Sequence, residues 1–391
     1  MKIVLIGPAY PLRGGNALFI AHLYEALART NDVHVISFSR LYPQFLFPGV
    51  RQNDVSTVAL KSHPAERTID SLNPFTWVKA GRRASELRPD LLVFTWWNPF
   101  FAFVVRTIAA EFKSKTGKPV VIVAENVVSH EGRWIDFWLT KFALSVADRF
   151  LVLSQVVEKQ VNQLFPSIKV FRSTLPVYDC YAAPQQLTQA EAQAKLGLSG
   201  KKVVLFFGYV RQYKGLMNLI EAMPIVRKEI PNAHLLVVGE FYDDPKPYRD
   251  AIARLGLSDA VTIVAEYVPN EEVHRYYSAA NVVVLPYNEA TQSGILSIAF
   301  GFAKPVIATN VGGLAELIDD GATGYVVPPH DSTALALAIV KYFREERETE
   351  FSAAVGKKAE QNSFVKIREV FEEISRDLQS ASDNRQSNNR E

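Results

Sequence analysis

Four segments hold the residue types that could do chemistry. Residues 7–15, GPAYPLRGG, leave an apolar run and lead into a helix near Asn16. Adjacent Gly14 and Gly15 let the backbone approach a ligand closely, and a helix N-terminus behind them favours an anion. The same residues also suit an ordinary strand-to-helix turn. The spacing is not G-x-G-x-x-G and no acidic residue closes the second strand, which argues against a nicotinamide dehydrogenase.

The second segment, residues 207–215, reads FGYVRQYKG. Arg211 offers a planar fork and Lys214 a flexible point charge, the two ways of gripping a diphosphate. A solvated basic loop is the bland alternative. Gly208 follows a wholly apolar run, however, so this loop opens at the carboxyl edge of a sheet, where open α/β sheets bind ligands.

The third segment, residues 285–329, is the most informative. A strand ends at Pro286, and Ser293 with Gly294 opens a helix whose first N–H groups lack intrahelical acceptors. A diphosphate there meets the helix dipole and comes within reach of Arg211 and Lys214. The fourth segment, residues 123–131, reads VAENVVSHE and contains Glu125, Asn126, His130 and Glu131. His130 and Glu131 do not open a zinc motif, because Trp134 stands where H-E-x-x-H needs its second histidine. A helix-capping role is the ordinary reading of His130.

The elements that must position these loops are short apolar runs alternating with longer amphipathic ones, the pattern of parallel sheets covered by helices. Strands are predicted at 2–6, 34–38, 91–94, 120–124 and 149–153, then at 203–207, 234–238, 261–264, 282–285, 305–308 and 324–326. Helices are predicted between most of them, at 17–29 and 136–147 for example. Between 176 and 200 the alternation stops at Pro184 and a capping box, Thr188 to Glu191, that opens a short helix ended by Gly197. The chain therefore divides into a first Rossmann-like domain at 1–180, a second at 181–362, a helix at 363–381 and a disordered tail at 382–391. The length of 391 residues suits two such domains.

A formal charge of +2, from 43 basic and 41 acidic residues, argues against a nucleic-acid partner. It leaves room for a local basic patch on a membrane-facing surface. Cys180 is the only cysteine, so an intramolecular disulfide is impossible and a reducing, cytoplasmic setting fits. The apolar stretch 91–110 is interrupted by Asn98, Pro99 and Arg106, so it reads as a strand and a packed helix rather than a membrane span.

The third segment, with its KPVIAT-VGG-E-I-DG-TG run, resembles the nucleotide-sugar site of glycosyltransferase family four, retaining enzymes of the GT-B fold. The second segment resembles that family's G-R-x-x-x-x-K-G donor loop, the glycine-rich first loop matches too, and the likeness spans roughly residues 1 to 365. The resemblance implies two doubly wound α/β domains facing across a cleft, with the last helix crossing back to the first domain. It also implies a retaining transfer with a nucleotide diphosphate as leaving group. The first domain would hold the acceptor, a glycan, a lipid-linked sugar or a small molecule of polysaccharide or glycolipid synthesis. No cofactor and no metal are expected, as no D-x-D occurs in the chain.

The departures from the family are specific. Its paired glutamates are replaced by Thr291 and Ala299, a pattern closer to a TQSG variant, and Glu289 is a candidate substitute. Tyr209 occupies the usual place of the donor arginine, and Arg211 lies two residues later. The fourth segment resembles the variant's H-N-V-x-x-H-E, with Glu125 where its first histidine would be. The implied donor contacts are Gly14, Gly15, Gly208, Arg211, Lys214, Glu289, Thr291, Gln292, Ser293 and Gly294. The implied catalytic groups are Glu125, His130, Arg211 and Lys214. An epimerase or hydrolase of the same fold, and a non-catalytic nucleotide-sugar-binding member, are the competing readings.

Trp134, Phe137, Trp138 and Phe142 fall at helical spacing with Arg133 and Lys141 beside them. Such a stripe reads first as buried core. The alternative is a face resting peripherally in a membrane interface beside a lipid-linked acceptor. Trp96 and Trp97 are expected in the wall of the acceptor site.

Overall fold

The structure is a computed structural model that describes residues 1–44, 47, 51–57, 61, 63–127, 134–181 and 187–388. The chain forms two compact units. The first comprises Met1–Asp54, Lys61–Pro176 and Ser363–Glu391, and the second Val55–Leu60 and Val177–Asn362.

Each unit is built on one parallel sheet. In the first unit the strands are β1 (Lys2–Ile6), β2 (Asp32–Arg40), β3 (Glu66–Asp70), β4 (Leu91–Trp96), β5 (Val120–Ala124), β6 (Arg149–Val152) and β7 (Val170–Arg172). They lie in the order β3-β2-β1-β4-β5-β6-β7. The second sheet has β8 (Lys202–Phe207), β9 (Ala233–Val238), β10 (Val261–Val264), β11 (Val282–Leu285), β12 (Val306–Thr309) and β13 (Gly324–Val327), in the order β10-β9-β8-β11-β12-β13. All their pairings are parallel. The order reverses between β1 and β4 in one sheet and between β8 and β11 in the other. Loops leaving the carboxyl ends of neighbouring strands part at such a reversal and open a crevice for a ligand.

Central strands such as Val120–Ala124 and Ala233–Val238 are buried along their whole length. Burial on both faces is why they read as continuous apolar runs rather than alternating ones. Phe94, Phe112 and Phe150 fill the first core, and Phe206, Ile220 and Phe351 the second.

The last helix, Phe364–Asn388, belongs to the first unit. Phe364 stacks on the His22 ring at 4.6 Å, and Asp377 accepts from both Arg149 at 2.5 Å and Lys169 at 2.6 Å. The helix continues through residues 382–388, which composition alone reads as disordered. Once a helix is nucleated and anchored by packing, each further residue adds a hydrogen bond at little cost, even where it buries nothing. Among the described residues no helix is long and apolar enough to cross a membrane.

The aromatic stripe at 134–142 is not core. In the helix Trp134–Leu144 only Thr140, Ala143 and Leu144 are buried, while Trp134 is 78% exposed and Trp138 58%. Helical spacing fixes which residues share a face but not whether another element covers it.

Candidate functional site

The second unit brings two of the loops together at its strand-order reversal. One follows β8 and contains Gly208, a 3₁₀ turn at Gln212–Lys214, and Gly215, after which the helix Leu216–Glu229 begins. The other follows β11 and runs from Pro286 to the helix Gly294–Gly301. The Asn288 N–H donates to the Tyr213 carbonyl at 2.7 Å, and the Asn288 side chain donates to the Gln212 carbonyl at 3.3 Å.

Glycine makes this junction possible. Gly215 has φ +65, and a Cβ there would lie 1.9 Å from the Pro286 carbonyl oxygen. Gly312, φ +51, stands against the same loop further on, where a Cβ would sit 1.5 Å from the Ala290 oxygen. Its neighbour Gly313 donates to the Thr291 carbonyl at 3.0 Å. The paired glycines at 312 and 313 therefore pack directly on the backbone of the loop that carries Thr291 and Gln292.

Lys214 is buried at the centre of this arrangement. Its Nζ lies 5.5 Å from the centroid of the Tyr287 ring and next to the Gly208 Cα, where a Cβ would come within 3.3 Å of it. The same hypothetical Cβ would lie 3.0 Å from Ile295, so the ammonium sits close to the first turn of the helix Gly294–Gly301. Among the described residues no carboxylate pairs with it. Burial, with Arg211 adding to the effect, lowers its pKa to about 8.

Ser293 caps the helix by accepting from the Leu296 N–H at 3.4 Å, and its hydroxyl is 3.4 Å from the Tyr287 hydroxyl. The first turn is otherwise a source of unpaired N–H groups. Thr291 and Ser293 are buried, and the Gln292 Oε1 is buried without a hydrogen-bond partner. Gly294 is half-buried, and a Cβ there would meet the Tyr178 ring at 3.6 Å. Glu289 is exposed on the rim of the loop.

Arg211 is turned toward Tyr242, with its guanidinium carbon 4.8 Å from the ring centroid, and Tyr242 stacks on Tyr209 at 4.6 Å. Nothing in the spacing of the Gly208–Gly215 loop announces this aromatic sleeve. Its signal was the segment Gly239 to Tyr242 after β9, a second glycine-aromatic strand end beside Phe207 to Tyr209. Arg211 has no carboxylate partner among the described residues.

The first unit holds its residues at its own strand ends. Gly14, φ +113, precedes the helix Gly15–Ala28 with no side-chain cap, and both Gly14 and Gly15 are open to solvent. The loop before them is pinned by Arg13 N–H to Gln52 carbonyl at 2.9 Å and Asp54 N–H to Pro11 carbonyl at 2.7 Å. At the reversal between β1 and β4 lies a small, largely apolar recess of about 10 Å³ lined by Gly7, Phe38, Thr95, Trp97 and Phe101 among others. Trp96 also borders it but is essentially buried, so of the two tryptophans Trp97 is the one with surface to offer.

Glu125 follows β5, its N–H donating to the Trp96 carbonyl at 2.9 Å. Its side chain is buried and Oε1 has no hydrogen-bond partner. Burial pushes its pKa up to about 8. Asn126 is half-buried beside it. His130 and Glu131 lie outside the described residues. Among the described residues no group of three or more His, Cys, Asp or Glu side chains is placed to hold a metal ion.

Residues 201–345, which contain the Lys214 site, match the model of the family described as Glycosyl transferases group 1. The stretch of the second unit that carries the two loops is thus similar to group 1 glycosyl transferases. Similar curated proteins include the alpha-D-kanosaminyltransferase of Streptomyces kanamyceticus, 26% identical over 205 residues, with 52% of this chain and 53% of that protein covered. The D-inositol 3-phosphate glycosyltransferase of Nocardia farcinica is 28% identical over 208 residues, covering 51% and 46%. The matches thus span about half the length of these relatives.

Among solved structures, the sucrose-phosphate synthase from Thermosynechococcus elongatus aligns with a TM-score of 0.73 at 21% identity, over 97% of this chain and 99% of that one. Anabaena HepE in complex with UDP aligns with a TM-score of 0.74 at 19% identity, over 97% and 100%. At such identities the likeness speaks to the fold. That fold is GT-B, with two Rossmann-like units, and the stretch matching the family model lies in the second of them.

Proposed function

We propose that the chain is a retaining glycosyltransferase that takes a sugar from a nucleoside diphosphate donor and needs no metal ion. The observation that carries this reading is Lys214, a buried ammonium without a carboxylate partner, next to unpaired N–H groups at the start of Gly294–Gly301. Burying a charge is costly unless something pairs with it. A diphosphate supplies that pair and also meets the positive end of the helix dipole. The match to group 1 glycosyl transferases supports the donor class, as does the solution of HepE with UDP and with UDP-glucose.

In this reading the bond between the anomeric carbon and the diphosphate oxygen breaks. Lys214 and Arg211 take up the charge that develops on the leaving group, a form of electrostatic stabilisation. The acceptor hydroxyl attacks the anomeric carbon from the face the diphosphate leaves, so configuration is retained. Glu125 from the first unit favours positive charge at that carbon, and His130 orients the acceptor or takes its proton. Glu289, Thr291 and Gln292 contact the donor, and Gly14 and Gly15 leave room for it. The lone Cys180 fits action in the cytoplasm.

Calorimetric titration with UDP, GDP and ADP tests the donor half of the proposal. One of them should bind the wild type, and Lys214→Ala should weaken that binding roughly tenfold or more, since a hydrogen bond to a charged group contributes about 1.5–3 kcal/mol. Equal affinity in both proteins rules out Lys214 as the diphosphate ligand.

A further inference from the structure

We propose that the first unit docks on the surface of an anionic phospholipid bilayer through the exposed face of the helix Trp134–Leu144. Six large apolar side chains are exposed there: Trp134, Ile135, Phe137, Trp138 and Phe142 on that helix, and Phe103 on the neighbouring helix Ala102–Thr116. The Phe103 and Phe142 rings meet at 5.5 Å, so the two helices present one continuous patch. Exposed apolar surface that is contiguous rather than scattered marks a binding face.

The charges select the occupant. The Arg106 guanidinium carbon lies 5.4 Å from the Phe142 ring centroid and Lys141 Nζ 6.0 Å from that of Trp138. Arg106 also donates to the Ser145 hydroxyl at 3.1 Å. Among the described residues neither cation has a carboxylate partner, and Asp136, the acid of this helix, is engaged in a contact of its own. A second copy of this chain fits poorly, because a two-fold contact sets a patch against itself and would bring like cations together.

An anionic lipid surface supplies both missing partners, an apolar boundary for the rings and negative charge for the cations. Tryptophan and phenylalanine with flanking basic residues are suited to that boundary. With 11 residues the helix is too short to span and lies in the plane of the interface. The inference does not depend on the donor reading, since it concerns a different unit and a different chemistry.

The test is flotation of the full chain with vesicles of phosphatidylcholine alone and of phosphatidylcholine with phosphatidylglycerol. The wild type should float with the anionic vesicles and not with the neutral ones. Each basic residue near an anionic surface contributes about a factor of five, so Arg106→Gln with Lys141→Gln should weaken partitioning on the order of tenfold or more. Trp134→Ser with Trp138→Ser should weaken it as well. These are surface changes, and unaltered circular dichroism and nucleoside diphosphate binding establish that the variants are folded. A wild type that stays in the unbound fraction overturns the proposal, as do variants that float like the wild type. Sedimentation showing a dimer that the tryptophan changes dissolve would assign the patch to a second copy instead.

Discussion

Beyond the carboxyl end of a parallel strand each unit buries an ionisable side chain with no oppositely charged partner among the described residues, Glu125 in the first and Lys214 in the second, and these two are mirror images in charge. Glu125 follows β5 in the first unit and Lys214 follows β8 in the second. Burial penalises whichever form is charged. It therefore lifts the acid from 4.5 to about 8 and lowers the base from 10.5 to about 8. Neither has an oppositely charged partner among the described residues. Their immediate surroundings differ. Lys214 lies beside an aromatic face, which favours its own positive charge, and a helix N-terminus, which favours an anion. Glu125 has an orphaned oxygen with an apolar strand behind it. An anion beside the lysine would offset the cost of burying its charge, whereas the glutamic acid is mostly neutral at neutral pH and acquires charge only at some cost. Each of the two burials costs folding stability in the pH range where the group would otherwise be charged.

The largest expected effect concerns the acidic half of the comparison. If the ionised Glu125 assists departure of the diphosphate, Glu125→Gln should lower turnover on the order of a hundredfold, as loss of one electrostatic group typically does. Nucleoside diphosphate affinity should stay as in the wild type. Wild-type turnover should climb with pH until about 8, and that rise should be missing from the variant. Steady-state kinetics across pH measures both, and near-normal turnover in Glu125→Gln would reduce Glu125 to a structural role.

Stability against pH sharpens the comparison, because the two groups have opposite windows. Between 4.5 and about 8 the unfolded chain has lost the Glu125 proton while the folded one retains it. Stability from this group is therefore full below 4.5 and falls as pH rises to about 8, by about 1.4 kcal/mol for each pH unit crossed. Lys214 works the other way. Its cost is full below about 8 and disappears as pH rises toward 10.5, where the unfolded lysine is also neutral. In urea titrations without ligand, Glu125→Gln should gain over the wild type progressively from about pH 5 to about pH 8, by a few kcal/mol at the upper end. Lys214→Met should gain by a similar amount at neutral pH and lose the advantage in alkali. Parallel pH profiles for the two variants would break the symmetry drawn here.

The smallest expected effect is none at all. If Lys214, Arg211 and the helix N-terminus hold the diphosphate, EDTA should leave most of the transfer rate intact. A rate recovered only on adding magnesium or manganese would mean that the two cations do not suffice.

Much of the fold is legible in the sequence because its central strands are buried on both faces, and a run such as VVIVA can hardly be read otherwise. The edge strands are harder. Glu66–Asp70 reads ERTID and Val170–Arg172 reads VFR, short and charged in the way that guards an edge against further pairing, and so weak in hydrophobic pattern. The capping box at Thr188 is found as expected, with the Glu191 side chain returning to the Thr188 N–H at 2.8 Å. At the donor loops, the spacing of Gly208, Lys214 and Gly294 points to one sheet edge. It does not reveal that Arg211 lies against Tyr242, since that contact joins two loops separated by a helix and a strand. The stripe at 134–142 is a different kind of miss. Periodicity describes one helix, and exposure depends on what the rest of the chain places over it.

The routing of the chain has a consequence for the order in which the molecule can be made. The first unit receives its last helix only after the whole of residues 177–362 has been passed through, and the Val177 N–H and Asn362 carbonyl, at the two ends of that stretch, are hydrogen-bonded at 2.9 Å. During synthesis the second unit's main stretch therefore emerges uninterrupted, before the amino-terminal unit has its last helix. Until residues 364–388 have left the ribosome, His22 lacks the ring it stacks on and Arg149 lacks Asp377. In the usual vectorial sequence the leading domain matures first; here its last helix is translated only after the main stretch of the second unit.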